Sequence, residues 1–367
     1  MQIAIVGLAS SGKSTVFNTL TRGHADTGGF GGMQLNVGVV KVPDERLTKL
    51  AEIFKPKKIV QADVTYVDLP APPASSEGRI GAEELPAEHL ARLRDSDALL
   101  HVVRAFENPS VPHPEGSVDA WRDIERLDLE FILADLAMAE RRIERLRTQG
   151  RHGTPAEREA NDRELVILER LHEGLEAGRP IRDETLEADA EKAIRGFRFL
   201  TQKPVLVLLN VGEADLPRET EIVADIASRY AHQRTLVDAL SARIEMELGE
   251  LDPDEAGVFM EELGLHVSSL DRVIALSYTL LGLISFLTAG PDEVRAWPIP
   301  DGSSAVEAAG AIHSDLARGF IRAEVVAYED LLRLHSMAEA RKAGLLRSEG
   351  RTYLVHDGDV VEILFSR

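Results

Sequence analysis

The sequence contains no cysteine among its 367 residues. That absence excludes a disulfide framework, a thiolate zinc site, an iron–sulfur cluster and a cysteine nucleophile. It also suits the cytosol, where structural disulfides are rare.

Long apolar runs and a targeting segment are also lacking. The longest apolar stretch, residues 273–287, includes two Ser, a Tyr and a Thr. At about 15 residues it is shorter than the roughly 20 that a membrane-spanning helix needs, so it predicts a buried helix followed by a strand. The chain begins MQIAIVG and enters a glycine-rich loop at once. We therefore expect no signal peptide, no membrane association and a cytoplasmic location.

Positive charge is scarce, because 42 basic residues face 62 acidic ones and the formal net charge is −20. Such a surface disfavours nucleic acid or anionic membrane as a general partner, although a local basic patch is compatible with it. The contents of 44% hydrophobic and 28% charged residues are typical of a folded globular protein. A chain of 367 residues exceeds one ordinary core, so two or three domains are expected.

Short apolar runs alternate with helical segments in two parts of the sequence. Gln2–Val6 predicts a buried strand and Lys13–Leu20 the helix after it. Further strands are predicted at residues 64–69, 98–103, 204–209 and 234–239, and a further helix at residues 219–230. This alternation indicates an α/β domain built on a mostly parallel sheet.

A charged helical pattern with apolar residues three and four apart interrupts the strands over residues 119–202. A turn-like break at residues 148–157 predicts a two-helix hairpin. After residue 287, short strands (294–299, 324–327, 352–355 and 360–365) and a helix (304–312) predict a small α+β domain. The expected parts are a nucleotide-binding domain of residues 1–118 and 204–280, a helical insertion of residues 119–203, and a C-terminal domain of residues 281–367.

The segment GLASSGKS, from Gly7 to Ser14, matches the P-loop pattern GxxxxGK[ST]. In this pattern the backbone N–H groups of a tight turn and the first turn of the next helix surround phosphate oxygens. Lys13 would neutralise the transferred phosphoryl group and Ser14 would ligate Mg²⁺. The alternative is a glycine turn without a ligand, and the predicted strand before and helix after the loop argue against it. The remaining nucleotide contacts are expected from Gly7, Ser10, Ser11, Gly12 and Thr15.

Two further motifs fit a nucleotide site. Asp68 ends a predicted strand, where P-loop proteins place the carboxylate that holds Mg²⁺ through water, although a lone Asp there is commonly a turn residue. Asn210-Val211-Gly212-Glu213 follows another strand, where guanine-binding proteins carry Asn-Lys-x-Asp. Because Val211 replaces the Lys and Glu213 is longer than Asp, we expect weak discrimination against adenine. A turn with a helix cap is the alternative interpretation of NVGE.

Together these motifs resemble the Obg-like ATPases, also called the YchF family, which are translation-factor-class P-loop proteins. The resemblance extends over nearly the whole chain. It implies a P-loop NTPase fold with a helical or coiled-coil insertion and a C-terminal TGS domain of the β-grasp type. The markers are GKSTVFNTLT (12–21), NVGVVKVPDERL (36–47), KPKKIV (55–60), HVVRAFEN (101–108), NVGE (210–213), TAGPDEVRAW (288–297), IHSDLARGFIRAEV (312–325) and HDGDVVEILF (356–365).

This resemblance implies ATP binding in preference to GTP, slow hydrolysis, and association with ribosomes or translation. It implies that Asn210 and Glu213 face the base together with Ser241 and Ala242 of a second base-contacting loop. It also implies that His113, in the loop after HVVRAFEN, is a candidate for orienting the attacking water. The alternative for His113 is a solvated loop histidine between two prolines.

The sequence departs from the family pattern in both switch regions. The phosphate loop has Ala9-Ser10-Ser11 in place of Pro-Asn-Val, and the second switch has Pro70-Ala71 where a γ-phosphate-sensing glycine is usual. Gly32 stands where the family's Mg²⁺-binding threonine lies. We expect binding to survive these changes better than hydrolysis. The alternative function is therefore a nucleotide-gated RNA or ribosome-binding module with little turnover, and a P-loop kinase is a distant third.

Basic side chains cluster at two places in this acidic chain. A lysine group lies close to the first switch and an arginine group lies near the hairpin tip, beside Glu140 and Glu144. The tip arginines either pair with glutamates on a solvated helix or contact ribosomal RNA. The hairpin tip and the TGS domain are thus the expected partner contacts, and no DNA specificity is evident. The two groups are Lys55, Lys57 and Lys58, and Arg141, Arg142, Arg145, Arg147 and Arg151.

Overall fold

A computed structural model describes residues 1–22, 26–28, 35–69, 86–149, 154–263 and 268–366. The chain divides into two compact units. The N-terminal unit comprises Met1–Gly38 and Thr65–Leu270, and the C-terminal unit comprises Val39–Val64 and Asp271–Arg367. The finer division into three domains stays a prediction.

Within the described residues, the N-terminal unit is built on a seven-stranded sheet. Its strands are β1 (Gln2–Val6), β2 (Asp26–Gly28), β3 (Leu35–Lys41), β5 (Asp63–Asp68), β6 (Ala98–Ala105), β7 (Val205–Val211) and β8 (Thr235–Leu240). They lie in the order β2-β3-β5-β1-β6-β7-β8. β5, β1, β6, β7 and β8 run parallel, and β2 pairs antiparallel with β3. This is the P-loop-type α/β sheet that the sequence predicts.

The central strands are apolar because both of their faces are covered. Every residue of β7 is buried, and so is every residue of β6 except the last. In a parallel sheet the carboxyl ends of neighbouring strands meet at one edge, where ligands bind. The turns that follow β1, β5, β6 and β7 therefore converge there.

The described helices of the N-terminal unit are α1 (Lys13–Leu20), α3 (Ala87–Asp95), α4 (Ala120–Gln149), α5 (Pro155–Glu176), α6 (Ala188–Ile194), α7 (Glu219–Arg229), α8 (Ala242–Glu250) and α9 (Pro253–Glu262). α4 and α5 form the predicted hairpin, with Ile143, Leu168 and Leu171 in their shared core. Helix does not run unbroken to residue 202, because residues 181–202 form only α6 and short 3₁₀ turns after α5. α5 stops because Gly178 takes a φ of 74° and Pro180 follows it.

The C-terminal unit has a mixed sheet in the order β12-β11-β13-β9-β10-β4. Its strands are β4 (Lys58–Val60), β9 (Leu283–Ala289), β10 (Glu293–Pro300), β11 (Phe320–Ala327), β12 (Arg347–Glu349) and β13 (Asp359–Phe365). Its helices are α2 (Glu45–Phe54), α11 (Ala305–Ile312), α12 (Ser314–Arg318), α13 (Tyr328–Leu334) and α14 (Met337–Lys342). Phe286 and Phe320 share its core with Ala305, Ala308 and Ala309 of α11, which gives the expected α+β character.

Two local predictions for the C-terminal part have different outcomes. The apolar stretch 273–287 forms helix α10 (Ser269–Leu280) followed by β9, as expected. The predicted strand at 352–355 is wrong, because only Leu354 pairs, in a single bridge with Ser304. A turn in which the Tyr353 N–H donates to the Gly350 carbonyl occupies this segment instead. Among the described helices, none combines the length and apolarity that a membrane span requires.

Candidate nucleotide-binding site

The loop between β1 and α1 has the backbone that phosphate binding requires at its two glycines. Gly7 takes a φ of 149° and Gly12 a φ of 96°, values that side chains disfavour. A Cβ on Gly7 would lie 2.2 Å from the Val102 carbonyl oxygen, and one on Gly12 would lie 2.2 Å from Asn210 Nδ2. α1 begins immediately after Gly12, so its first N–H groups face the loop.

Lys13 is held inside this loop. Its ammonium group donates to the carbonyl oxygens of Gly7 (2.9 Å) and Leu8 (2.7 Å). Burial lowers the pKa of Lys13 to about 8, and the charge of Asp68 opposes that shift. Because the ammonium is already largely removed from water, its attraction to a phosphate would be weakly screened.

The side chains of Asp68 and Ser14 fit a magnesium ion. Asp68 is 1% exposed, and its Oδ1 has no hydrogen-bond partner among the described residues, while Oδ2 accepts from Asn36 Nδ2 at 3.4 Å. Burial raises the pKa of Asp68, and Asn36, Lys13 and the Ser14 hydroxyl oppose the rise. A buried carboxylate oxygen without a donor favours a cation, and Mg²⁺ takes oxygen ligands while keeping waters and phosphates.

Asn210 joins the phosphate loop to the predicted base loop. Its Nδ2 donates to the Ser11 carbonyl (3.0 Å), and its Oδ1 accepts from the Ala242 N–H (3.1 Å). Both ends of the amide are therefore occupied by backbone groups, and Asn210 positions two loops. Its contact with the base itself stays a prediction.

The structure brings the other predicted base residues to the same edge of the sheet. Ser241 and Ala242 are buried at the start of α8, and Glu213 is exposed at the start of a 3₁₀ turn after β7. Val211 is buried at the end of β7. A buried valine cannot extend along a base as a lysine stem does.

The remaining phosphate-loop residues that were predicted to contact the nucleotide differ in their exposure. Ser10 is exposed with a φ of 62°, while Ser14 is exposed and Thr15 half-buried on the first turn of α1. Ser11 is 2% exposed, and its hydroxyl has no partner among the described residues. A contact between Ser11 and a ligand stays a prediction.

His113 is a buried residue, so the alternative of a solvated loop histidine is wrong. Its Nε2 lies 2.9 Å from Asp123 Oδ2, and its Nδ1 accepts from the Glu115 N–H at 3.1 Å. This pattern fits the neutral ring with its proton on Nε2, donated to Asp123. Both nitrogens are thus engaged, and orienting a water would require release of Asp123. The catalytic role of His113 stays a prediction, and Gly32, Pro70, Ala71 and Arg151 lie outside the described residues.

Most of the basic side chains are paired. Arg142 makes two bonds to Glu164 (2.7 and 2.8 Å), and Arg147 bonds Glu169, so the pairs join α4 to α5 rather than neighbouring turns of one helix. Lys57 and Lys58 pair with acids of the C-terminal unit, Asp292 and Glu293. Arg141 and Arg145 are exposed and form no ion pair with any residue that the structure describes. These two are the cations left free for a partner on the described hairpin surface of α4 near its tip.

Two buried groups of β6 did not attract a functional prediction. His101 is 2% exposed, and burial, aided by the charge of Lys13, lowers its pKa to about 3. Arg104 is also 2% exposed and lies near the end of the strand. The sequence feature that could have indicated them is a pair of ionisable residues inside an otherwise apolar run, ALLHVVRA.

Comparison with known families matches both ends of the chain. Residues 2–134 match the family model described as "50S ribosome-binding GTPase". Residues 283–366 match the YchF GTPase C-terminal family, described as a protein of unknown function (DUF933).

Curated relatives match the full length. The "Ribosome-binding ATPase YchF" of Bacillus subtilis is 42% identical over 99% of this chain and 98% of the relative. The protein of the same name from Escherichia coli O157:H7 is 39% identical, with the same coverage. The solved structure of the Schizosaccharomyces pombe YchF GTPase aligns with a TM-score of 0.83 and 30% identity, over 99% of this chain and 97% of that one.

Proposed function

The chain belongs to the YchF family, and from this membership and its site we propose that it is a cytoplasmic P-loop hydrolase that binds ATP with Mg²⁺. Slow hydrolysis would be coupled to binding of the ribosome. The observation that carries the proposal is the loop itself, in which Gly7 and Gly12 admit no side chain and Lys13 is desolvated beside Asp68. A turn without a ligand does not explain a half-buried lysine whose charge interacts with Asp68, a buried carboxylate with one oxygen unpartnered among the described residues.

The residues of the site would divide the work as follows. Backbone N–H groups of the loop and of the first turn of α1 bind the phosphate oxygens. Lys13 neutralises charge on the transferred phosphoryl group. Ser14 and Asp68 hold Mg²⁺, which supplies further charge neutralisation when it is bound. Asn210 keeps the base loop at a fixed distance from the phosphate loop through its two backbone bonds.

ATP is proposed over GTP because the guanine reader is altered. The position of the usual lysine is a buried valine, Val211, and the terminal acid is the longer and exposed Glu213. A site without a matched acceptor for guanine loses most of its discrimination. The relatives' names differ on this point, since the bacterial proteins are called ATPases and the yeast structure a GTPase.

Titration of the apo protein with ATP and GTP tests the proposal. We expect micromolar ATP affinity, GTP weaker by at least about tenfold, and a loss of affinity when Mg²⁺ is removed. Lys13→Ala is the blank, since it removes the ammonium without touching the glycines. Tight binding of GTP alone would refute the ATP assignment, and binding of neither nucleotide would refute the proposed function.

A second function, nucleotide-gated binding with little turnover, is favoured by one observation. Both nitrogens of His113 are bonded within the protein, so no described histidine nitrogen of that loop is free for a water. Phosphate release by the same samples separates the two functions. Release above the Lys13→Ala blank supports the hydrolase, and ATP binding with release equal to the blank supports the gated module.

The hairpin is proposed as an electrostatic contact to ribosomal RNA, and the C-terminal unit as a further partner contact. The double variant Arg141→Ala/Arg145→Ala should bind the ribosome with a shallower salt dependence. The magnitude of the slope of log affinity against log salt concentration should fall by about 1.5, because two phosphate contacts are lost. The matched control is Arg142→Ala with Arg147→Ala, which removes two arginines that are paired with Glu164 and Glu169. Ribosome co-sedimentation over a salt series measures both. Equal effects of the two double variants, or no salt dependence, would contradict an RNA contact here.

A further inference from the structure

Arg104 is a buried cation that forms no ion pair with a described residue. Its side chain lies near the end of β6 and is among the largest fully buried ones. Nε donates to the Phe106 carbonyl at 3.1 Å, and Nη2 donates to the Val111 carbonyl at 2.8 Å. Nη1 has no hydrogen-bond partner in the described part of the chain.

The two carbonyls belong to the ends of one loop. Phe106 follows β6 directly and Val111 lies five residues later. The guanidinium also lies 4.7 Å from the centroid of the Phe106 ring. A planar guanidinium presents its donors in a fixed arrangement that an ammonium group lacks. Arg104 therefore determines the shape of the loop from residue 106 to residue 111.

Each end of this loop leads to a different part of the nucleotide site. At one end, a Cβ on Gly212 of the NVGE motif would lie 3.7 Å from Phe106 Cβ. At the other end, His113 bonds Asp123 near the start of α4. Arg104, His113 and Asp123 line one small pocket together with Leu8, Ala9 and Ser11 of the phosphate loop.

Stability alone does not account for a guanidinium at this place. Removing the cation from water is costly, and two neutral carbonyl acceptors, with Nη1 left without a partner among the described residues, offset that cost incompletely. An apolar side chain would fill the same space at a lower cost. What the guanidinium adds is a fixed distance between the two ends of the loop.

We propose that Arg104 is a positioning residue that makes the base-side residue Phe106 and the phosphate-side residue His113 move as one unit. Through this connection, the base that is bound influences how the phosphate end of the site is arranged. The inference rests on the proposed function and adds to it a route between the base and the phosphates.

The test compares Arg104→Met and Arg104→Lys with the control Arg182→Met. Arg182 is 3% exposed and its Nε likewise donates to a carbonyl, that of Lys203 at 3.1 Å. Lys203 precedes β7, so this bond lies at the edge of the sheet away from the phosphate loop. The measurements are kcat and KM for ATP and GTP, the two dissociation constants, and amide hydrogen exchange of residues 106–113.

In both Arg104 variants we expect kcat for ATP to fall by about tenfold or more. The kcat/KM for ATP divided by the kcat/KM for GTP should move towards one, and amide hydrogen exchange in residues 106–113 should accelerate. Lysine should not rescue, because an ammonium lacks the planar guanidinium whose separate nitrogens, Nε and Nη2, reach the Phe106 and Val111 carbonyls. Arg182→Met should lower the melting temperature and leave the nucleotide ratio and the exchange of this loop unchanged.

Three results would overturn the inference. They are wild-type kinetics and exchange in Arg104→Met, full rescue by Arg104→Lys, and the same pattern in Arg182→Met as in the Arg104 variants. A wild-type protein that binds neither nucleotide overturns the proposed function and the coupling with it. A wild-type protein that binds and hydrolyses ATP, with Arg104 variants that match it, overturns this inference alone.

Discussion

Gly7→Ala should weaken ATP binding by about a hundredfold while leaving the protein folded. The new Cβ would lie 2.2 Å from the Val102 carbonyl oxygen, and this oxygen has little room to retreat because Val102 lies within β6 and pairs with Leu208 of β7. The loop must therefore move away from the sheet, and its N–H groups no longer point at the same phosphate position. A displacement of about 1 Å at such a site weakens function by about a hundredfold. Calorimetric titration with ATP measures the loss.

The matched control is Gly178→Ala. Gly178 also has a positive φ, 74°, but a Cβ there would meet nothing within 4 Å. Alanine at position 178 should therefore lower the stability by only about 1 kcal/mol, the cost of its backbone conformation. ATP affinity should equal that of the wild type. Unchanged ATP binding by Gly7→Ala would show that this loop does not surround the phosphates.

The parts of the fold that depend on local pattern were predictable from the sequence. Gln2–Val6 and Lys13–Leu20 form the predicted strand and helix with the predicted bounds. Both follow from short-range rules, namely an apolar run bounded by glycine and a helix that begins after a glycine turn. The phosphate loop was found for the same reason, since its pattern lies within eight consecutive residues.

Long-range pairing was not predictable in this way. Lys58–Val60 forms a strand parallel to β10, more than 200 residues later. Nothing in the sequence of KPKKIV indicates that partner, because register between distant strands depends on the whole tertiary structure. The wrong strand at 352–355 shows the converse, since its β-branched and aromatic residues have the right propensity and a turn overrides it.

The candidate site shows the same division between local and distant causes. A motif indicates which residue types are present, and it does not show which atoms they bond. NVGE predicts that Asn210 faces the base, and it does not indicate that both ends of the amide also bond the backbone of Ser11 and Ala242, which are distant in sequence. Likewise the proline-flanked His113 resembled a solvated loop residue, and Asp123 of the following helix buries and bonds it.

Asn210→Ala should therefore harm stability and nucleotide binding together. It leaves the Ser11 carbonyl and the Ala242 N–H without their partner, and both residues are almost fully buried. Each unpaired buried group costs about 1–3 kcal/mol. The melting temperature should fall, and ATP affinity should fall with it because the phosphate loop and the base loop lose their connection. Thermal melting with and without ATP, and calorimetric titration, measure the two effects.

The variant Ser228→Ala is the control, because the Ser228 side chain also bonds backbone, donating to the Asp225 carbonyl at 2.8 Å, but at the surface. Water can replace that bond, so both quantities should stay within experimental error of the wild type. A drop in melting temperature with unchanged ATP affinity would mean that Asn210 stabilises the sheet edge without connecting the loops. Unchanged values for both would contradict the bonding pattern itself. The expected joint loss identifies Asn210 as the residue through which the base loop keeps the phosphate loop in place.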